Sequence, residues 1–220
     1  MMTSKEDISQ MPPSIDQARD DLAFLNSVMS ERKPALYNAG LLYCAAGFLY
    51  GLQCLFNWIS ITVPVRLPDI VHITIGLLPT VIFLGICVQV ARTSKVKGYG
   101  KSFTTRAISG VFGGAGIANF ALVAVFALAA FRREDFSIWL FYPVTVCALQ
   151  GAVWYGVAVI RRRWWMGVVA IGWMLASVAA SLYVENGERF LAVLGLSLFI
   201  LMAVPGYTLM RVSRRDEASA

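Results

Sequence analysis

The sequence predicts an all-α membrane protein: a polytopic helical bundle with six transmembrane helices, both termini in the cytoplasm, and one cytoplasmic amphipathic helix ahead of the first span. Three observations carry this prediction. The 220 residues are 58% hydrophobic and only 15% charged, where soluble domains are about a quarter charged. Six apolar runs, at 36–59, 70–91, 107–131, 137–160, 164–183 and 190–210, contain no Asp, Glu, Lys or Arg. If the chain crosses the membrane six times, fifteen of its nineteen Lys and Arg fall on one side, leaving only Arg66, Arg132, Arg133 and Arg189 on the other.

At about 1.5 Å of rise per residue, each run covers about the thickness of the hydrocarbon core. Only a helix satisfies every backbone amide within such a run, and the alternation of a transmembrane barrel strand is absent. The basic excess on one side makes that side cytoplasmic. The same topology accounts for the net charge of +6, which in a soluble chain would suggest nucleic acid; none is expected as a partner here. The domain organisation is then a tail at 1–35, a six-span domain at 36–210 in contact with the lipid bilayer, and a tail at 211–220.

The N-terminal tail carries Pro12-Pro13-Ser14-Ile15-Asp16-Gln17, and Ser14 with Gln17 fits a capping box that starts a helix. Ile15, Ala18, Leu22, Leu25 and Met29 recur at helical spacing and form one apolar stripe, on a helix of about 15–32 that Pro34 is expected to end. Acidic side chains outnumber basic ones along it, whereas helices that lie on anionic lipid are basic. The stripe therefore suits protein: either the chain's own basic cytoplasmic loops or a separate partner.

In the first span, Gly40, Cys44, Gly47, Gly51 and Cys54 alternate at four and three residues, a small-residue face that lets a second helix backbone approach closely. Gly110 and Gly114 repeat the G-x-x-x-G spacing in the third span. These faces can pack within one chain or between copies in a homo-oligomer. The run Gly110 to Gly116 lacks the strand before it and the Lys-Ser or Lys-Thr after it that a phosphate loop requires. Pro79, Pro143 and Pro205 fall in the three spans that run inward, which suggests three hairpins repeated in parallel. The two deeper prolines are expected to kink their helices.

Chemistry has few candidates within the membrane. The spans hold no ionisable residue except His72, near the outer end of the second, and the four cysteines show no C-x-x-C spacing. No metal, cofactor or catalytic set is suggested, and the chain reads as non-enzymatic. The polar candidates are neutral: Asn119 at the centre of the third span, Gln150 near the centre of the fourth, and Gln53 farther out in the first. A loop of five residues should make the third and fourth spans neighbours and let Asn119 and Gln150 bond to each other.

Asp20-Asp21-Leu22-Ala23-Phe24-Leu25 together with Leu49-Tyr50-Gly51-Leu52-Gln53-Cys54 resembles an uncharacterised family of small bacterial six-span inner-membrane proteins. The resemblance covers about the first quarter of the chain. It implies the bacterial cytoplasmic membrane and no particular activity. The functional expectation is a regulatory or interaction protein of the membrane, with the tail helix as its contact surface. The alternative is a small-molecule permease or channel that uses the midplane amides.

Overall fold

The computed structural model describes the backbone of residues 15–63, 68–96 and 103–218, and the side chains of 37–63, 68, 70–93 and 106–214. The described residues are helical apart from short turns between the helices. Helix α1 is Ile15–Thr62, α2 Asp69–Val96 and α3 Phe103–Arg133; a 3₁₀ turn at Phe136–Leu140 leads into α4, Phe141–Arg161. Helix α5 is Trp164–Leu182, and a last composite helix joins α6, Gly187–Leu198, through a π-helical segment, Phe199–Ala203, to α7, Val204–Ala218.

Six helices are long and apolar enough to cross a membrane: Tyr37–Thr62, Ile70–Thr93, Arg106–Arg133, Phe136–Arg161, Trp164–Leu182 and Gly187–Arg214. They overlie the six apolar runs, and the sixth extends several residues past the run at 190–210 at each end. Its extra turns hold Glu188 and Arg189 at one end and Arg211 and Arg214 at the other. Charged residues near a helix end can reach the interface, so helix and apolar run need not end together. The starts and corners are locally determined. Asn186 caps α6 by accepting from Arg189 N at 3.1 Å. Asp135 caps the 3₁₀ turn by accepting from Ser137 N at 2.9 Å, and its hydrogen bonds from Ser137 hold the carboxyl below the usual carboxylate range. The two corners at Glu134 and Arg162 use the left-handed backbone region, with φ of 53° and 52°.

Helix α1 runs through Pro34 without a break, where the sequence suggests a stop. Proline inside a helix removes one hydrogen bond and either kinks or breaks it. Here the part of α1 beyond Tyr37 is held by α6 and α7. The tail positions Ile15, Ala18, Leu22, Leu25 and Met29 are on this helix, and their side chains lie outside the described residues. Pro143 is the third residue of α4, just past the 3₁₀ turn. Pro79 is inside α2 and Pro205 is the second residue of α7, after Val204 and the π segment, so the three prolines do not repeat one local structure.

The interior is built by α1, α4, α5 and the composite helix, with the closest seams between α4 and α5 and between α1 and α7. Trp154 and Trp173 are the largest fully buried side chains, packed with Tyr43, Cys147, Met166, Phe190, Leu194 and Leu209. Helices α2 and α3 flank this core. Helix α2 packs against α1, and α3 against α4 and the 3₁₀ turn, with no comparable packing between α2 and α3 among the described residues. None of the residues in the most apolar stretch of either span is buried.

Candidate functional site

The polar groups of the interior form small clusters centred on aromatic residues. In the deepest one, Tyr43 of α1 donates its hydroxyl to Gln150 Oε1 of α4 at 3.1 Å and accepts from Trp154 Nε1. The ring of Tyr43 meets Trp154 and Phe112 edge-on, with centroids 5.2 and 6.2 Å apart, so α1, α3 and α4 meet at this side chain and its hydroxyl ties α1 to α4. In the second cluster Tyr142 donates to Asn119 Oδ1 at 3.1 Å, with Trp139 stacked on Tyr142 and Phe126 at its edge. Asn119 and Gln150 therefore bond to different tyrosines and not to each other. Tyr142 and Gln150 are eight residues apart on α4, about 12 Å of helix rise. The short connection does make α3 and α4 neighbours, but their register sets Asn119 opposite Tyr142, about two turns from Gln150.

A third arrangement serves the prolines. Pro205 has no N–H to return to the Leu201 carbonyl one turn back, and Trp173 Nε1 of α5 donates to that carbonyl at 3.1 Å. Pro79 similarly disturbs the turn before it in α2, where Gln53 Nε2 of α1 donates to the Gly76 carbonyl at 3.2 Å. Tyr50 reaches Thr80 on the same turn at 3.4 Å. All these groups are neutral hydrogen-bonding partners suited to fixing helices against each other in hydrocarbon. Among the described residues no group of three or more His, Cys, Asp or Glu could hold a metal, and the four cysteines are free thiols.

The small residues of α1 meet the composite helix. A Cβ on Gly40 would lie 2.8 Å from the Gly206 carbonyl oxygen, and one on Gly47 would lie 2.5 Å from Ala203 N and 2.9 Å from the Leu198 carbonyl oxygen. A Cβ on Gly51 would lie 2.9 Å from the ring of Phe199, Cys54 faces Gly195, and a Cβ on Gly206 would collide with the backbone of Cys44. Gly110 and Gly114 on α3 have nothing within 4 Å of an added Cβ. One turn before Gly40 on the α1 seam, Arg214 donates to the Tyr37 hydroxyl at 3.0 Å and lies over its ring.

Sequence reasoning passed over Tyr43, Trp154, Trp173 and Gly206. Aromatic residues with a polar tip belong near the headgroups, and the signal for these was their depth: Trp173 is at the middle of the run at 164–183. A buried indole N–H needs an acceptor, and a proline leaves one in the neighbouring helix. No protein-family model, no curated protein and no solved structure matches this chain.

Proposed function

We propose that the protein is a non-enzymatic regulatory or interaction protein of the bacterial cytoplasmic membrane, with both termini in the cytoplasm and the tail helix as its contact surface. The observation that carries this reading is the continuity of α1, a single helix from Ile15 to Thr62. Its membrane part touches α2, α6 and α7, so a contact made on the tail reaches the bundle through unbroken backbone. At 3.6 residues per turn, Ile15, Ala18, Leu22, Leu25 and Met29 share the face of Gly40, Cys44, Gly47, Gly51 and Cys54. The face that seats α7 thus continues as an apolar stripe along the tail. The positive-inside bias, and the resemblance of the first quarter of the chain to bacterial inner-membrane proteins, support the location and the orientation.

The hydrogen bonding of the interior supports the same reading over a permease. Among the described residues every enclosed side-chain nitrogen or oxygen has a partner, and Asn119, Gln150 and Gln53 each join two helices. The test is affinity capture of the detergent-solubilised protein with and without residues 1–33. The reading expects a specific protein partner that is lost with the tail. Capture of no partner by either form, together with reaction of cysteines placed at 119 and 150 with a water-soluble thiol reagent in a cysteine-free background, would overturn it in favour of a permease.

A further inference from the structure

The two ends of the bundle carry charge differently. At the end where α3 leads to α4 and α5 to α6, the arginines have acidic neighbours in sequence: Arg132 and Arg133 precede Glu134 and Asp135, and Arg189 follows Glu185 and Glu188. At the other end the described side chains include arginines and no carboxylate. Arg214 is engaged there by Tyr37, but the arginines around the α4–α5 corner are not. Arg162 and Arg163 are exposed, and neither side chain makes a hydrogen bond or ion pair among the described residues. A third arginine comes from α3. Val111 Cγ1 is 3.8 Å from where a Cβ on Gly156 would lie, and Arg106 and Arg161 are each five residues farther toward this end on the two antiparallel helices, so they reach about the same level. Arg106 is exposed and likewise unpaired among the described residues.

Guanidinium groups gathered without counter-charge repel one another, more so where a membrane lowers the local dielectric. A phosphate diester relieves this repulsion by accepting their paired hydrogen bonds. Position decides which phosphate-bearing molecule fits. Only Arg162 and Arg163 separate the end of α4 from the start of α5, so the corner cannot project beyond the headgroup layer. Helix α5 has 19 residues and a length of about 28 Å, close to the hydrocarbon thickness. Its first residue, Trp164, is therefore at the boundary, and the arginines are immediately outside it. The two tryptophans there point in different directions. Trp165 meets the buried Trp154, with ring centroids 6.0 Å apart, while Trp164 is 82% exposed. An exposed indole at this level suits the region between headgroup and acyl chain. The corner thus presents an anion site and an apolar wall side by side, matching the two parts of a phospholipid; a soluble acidic protein would use only the first.

We propose that the α4–α5 corner, with Arg106 of α3 at the same level, binds an anionic phospholipid, its headgroup phosphate on Arg162, Arg163 and Arg106 and its acyl chain beside Trp164. The inference concerns lipid at the edge of the bundle, and it rests neither on the tail-helix reading above nor on which end faces the cytoplasm. The test is native mass spectrometry of the full-length protein in detergent, with phosphatidylglycerol or phosphatidylcholine of the same acyl chains added at equal concentration. Phosphatidylglycerol should be preferred at least about tenfold, given about fivefold for each basic residue near an anionic surface. Arg162→Gln with Arg163→Gln should bring the preference below about threefold. The same change of charge at the opposite end, Arg132→Gln with Arg133→Gln, should leave it in place. If the corner variant fails to fold, as judged by thermal unfolding in phosphatidylcholine, Arg106→Gln addresses the same site from α3 and should lower the preference about fivefold. Equal binding of the two lipids would overturn the proposal. So would a preference that survives in the folded corner variant, or an equal loss in both double variants, which would reduce the effect to net charge. Soluble glycerophosphoglycerol, which has the headgroup and no chains, should not displace the lipid at matching concentration; displacement would assign the site to a free phosphate ester and would also overturn the proposal.

Discussion

Gly47 and Gly51 on α1 and Gly110 and Gly114 on α3 have the same spacing, yet one pair is pressed against another helix and the other faces open space. The pattern permits close approach without requiring it. What decides is which element the chain brings to that face. The composite helix returns alongside α1 and presents Gly195, Ala203 and Gly206 to its small residues. Helix α3 meets its neighbours through Phe112, Asn119 and Phe126, which touch Tyr43 and Tyr142. At 3.6 residues per turn, Gly110 and Gly114 are on the opposite side of α3 from those three.

The comparison predicts a graded set of outcomes, all measurable by thermal or denaturant unfolding in detergent. Gly47→Leu should have the largest effect, because its Cβ would be 2.5 Å from a backbone nitrogen that cannot move without shifting the helix. A loss of about 3 kcal/mol is expected, the upper end for overpacking, and a loss no greater than that of Leu49→Ile would break the account of the α1 seam. Trp173→Phe should follow at about 1–2 kcal/mol, because it keeps most of the ring volume but leaves the Leu201 carbonyl without its side-chain donor. An unchanged midpoint would show that the turn before Pro205 needs no support from α5.

On the α3 side, a double-mutant cycle of Asn119→Leu and Tyr142→Phe should give a coupling of about 0.6 kcal/mol, typical for hydrogen bonds between membrane helices. The cycle pairing Asn119→Leu with Gln150→Leu should instead be additive within about 0.5 kcal/mol. Coupling found only in the second cycle would restore a direct bond between the amides. The smallest effect belongs to Gly110→Leu, expected to change stability by less than about 0.5 kcal/mol. A cost matching that of Gly47→Leu would mean that another helix covers this face in the membrane.

How far the fold could be read from residues follows the range of the interactions involved. The six spans were legible because length and the absence of charge act locally, and their observed ends differ from the apolar runs by a few residues where charged side chains extend the helix. The small-residue face of α1 was legible as a surface. Its occupant was not, because Gly206 is more than 150 positions away and nothing in its own neighbourhood marks it as a partner. The same limit applies to the polar clusters. Depth can be counted from the span ends, but which residue of α4 stands opposite Asn119 depends on packing along the α3–α4 seam, which counting cannot supply. Pro34 was misleading for a related reason, since its local effect is opposed by packing farther along the helix.

The length of α1 has a mechanical consequence. It holds 48 residues, of which the apolar span takes 26, so about 33 Å of helix extends from Ile15 to Leu36 at 1.5 Å per residue. A rod of that length converts angle into distance: a tilt of about 5° at Tyr37 moves the far end by about 3 Å. Pro34 is three residues from the fulcrum and leaves the Ser30 carbonyl without its helical donor, which makes this the most compliant joint of the lever. Stiffness on one side of it and close backbone contact at Gly40 on the other would concentrate any bending at Pro34, so that a load on the tip first changes the angle between the tail and the membrane part of α1.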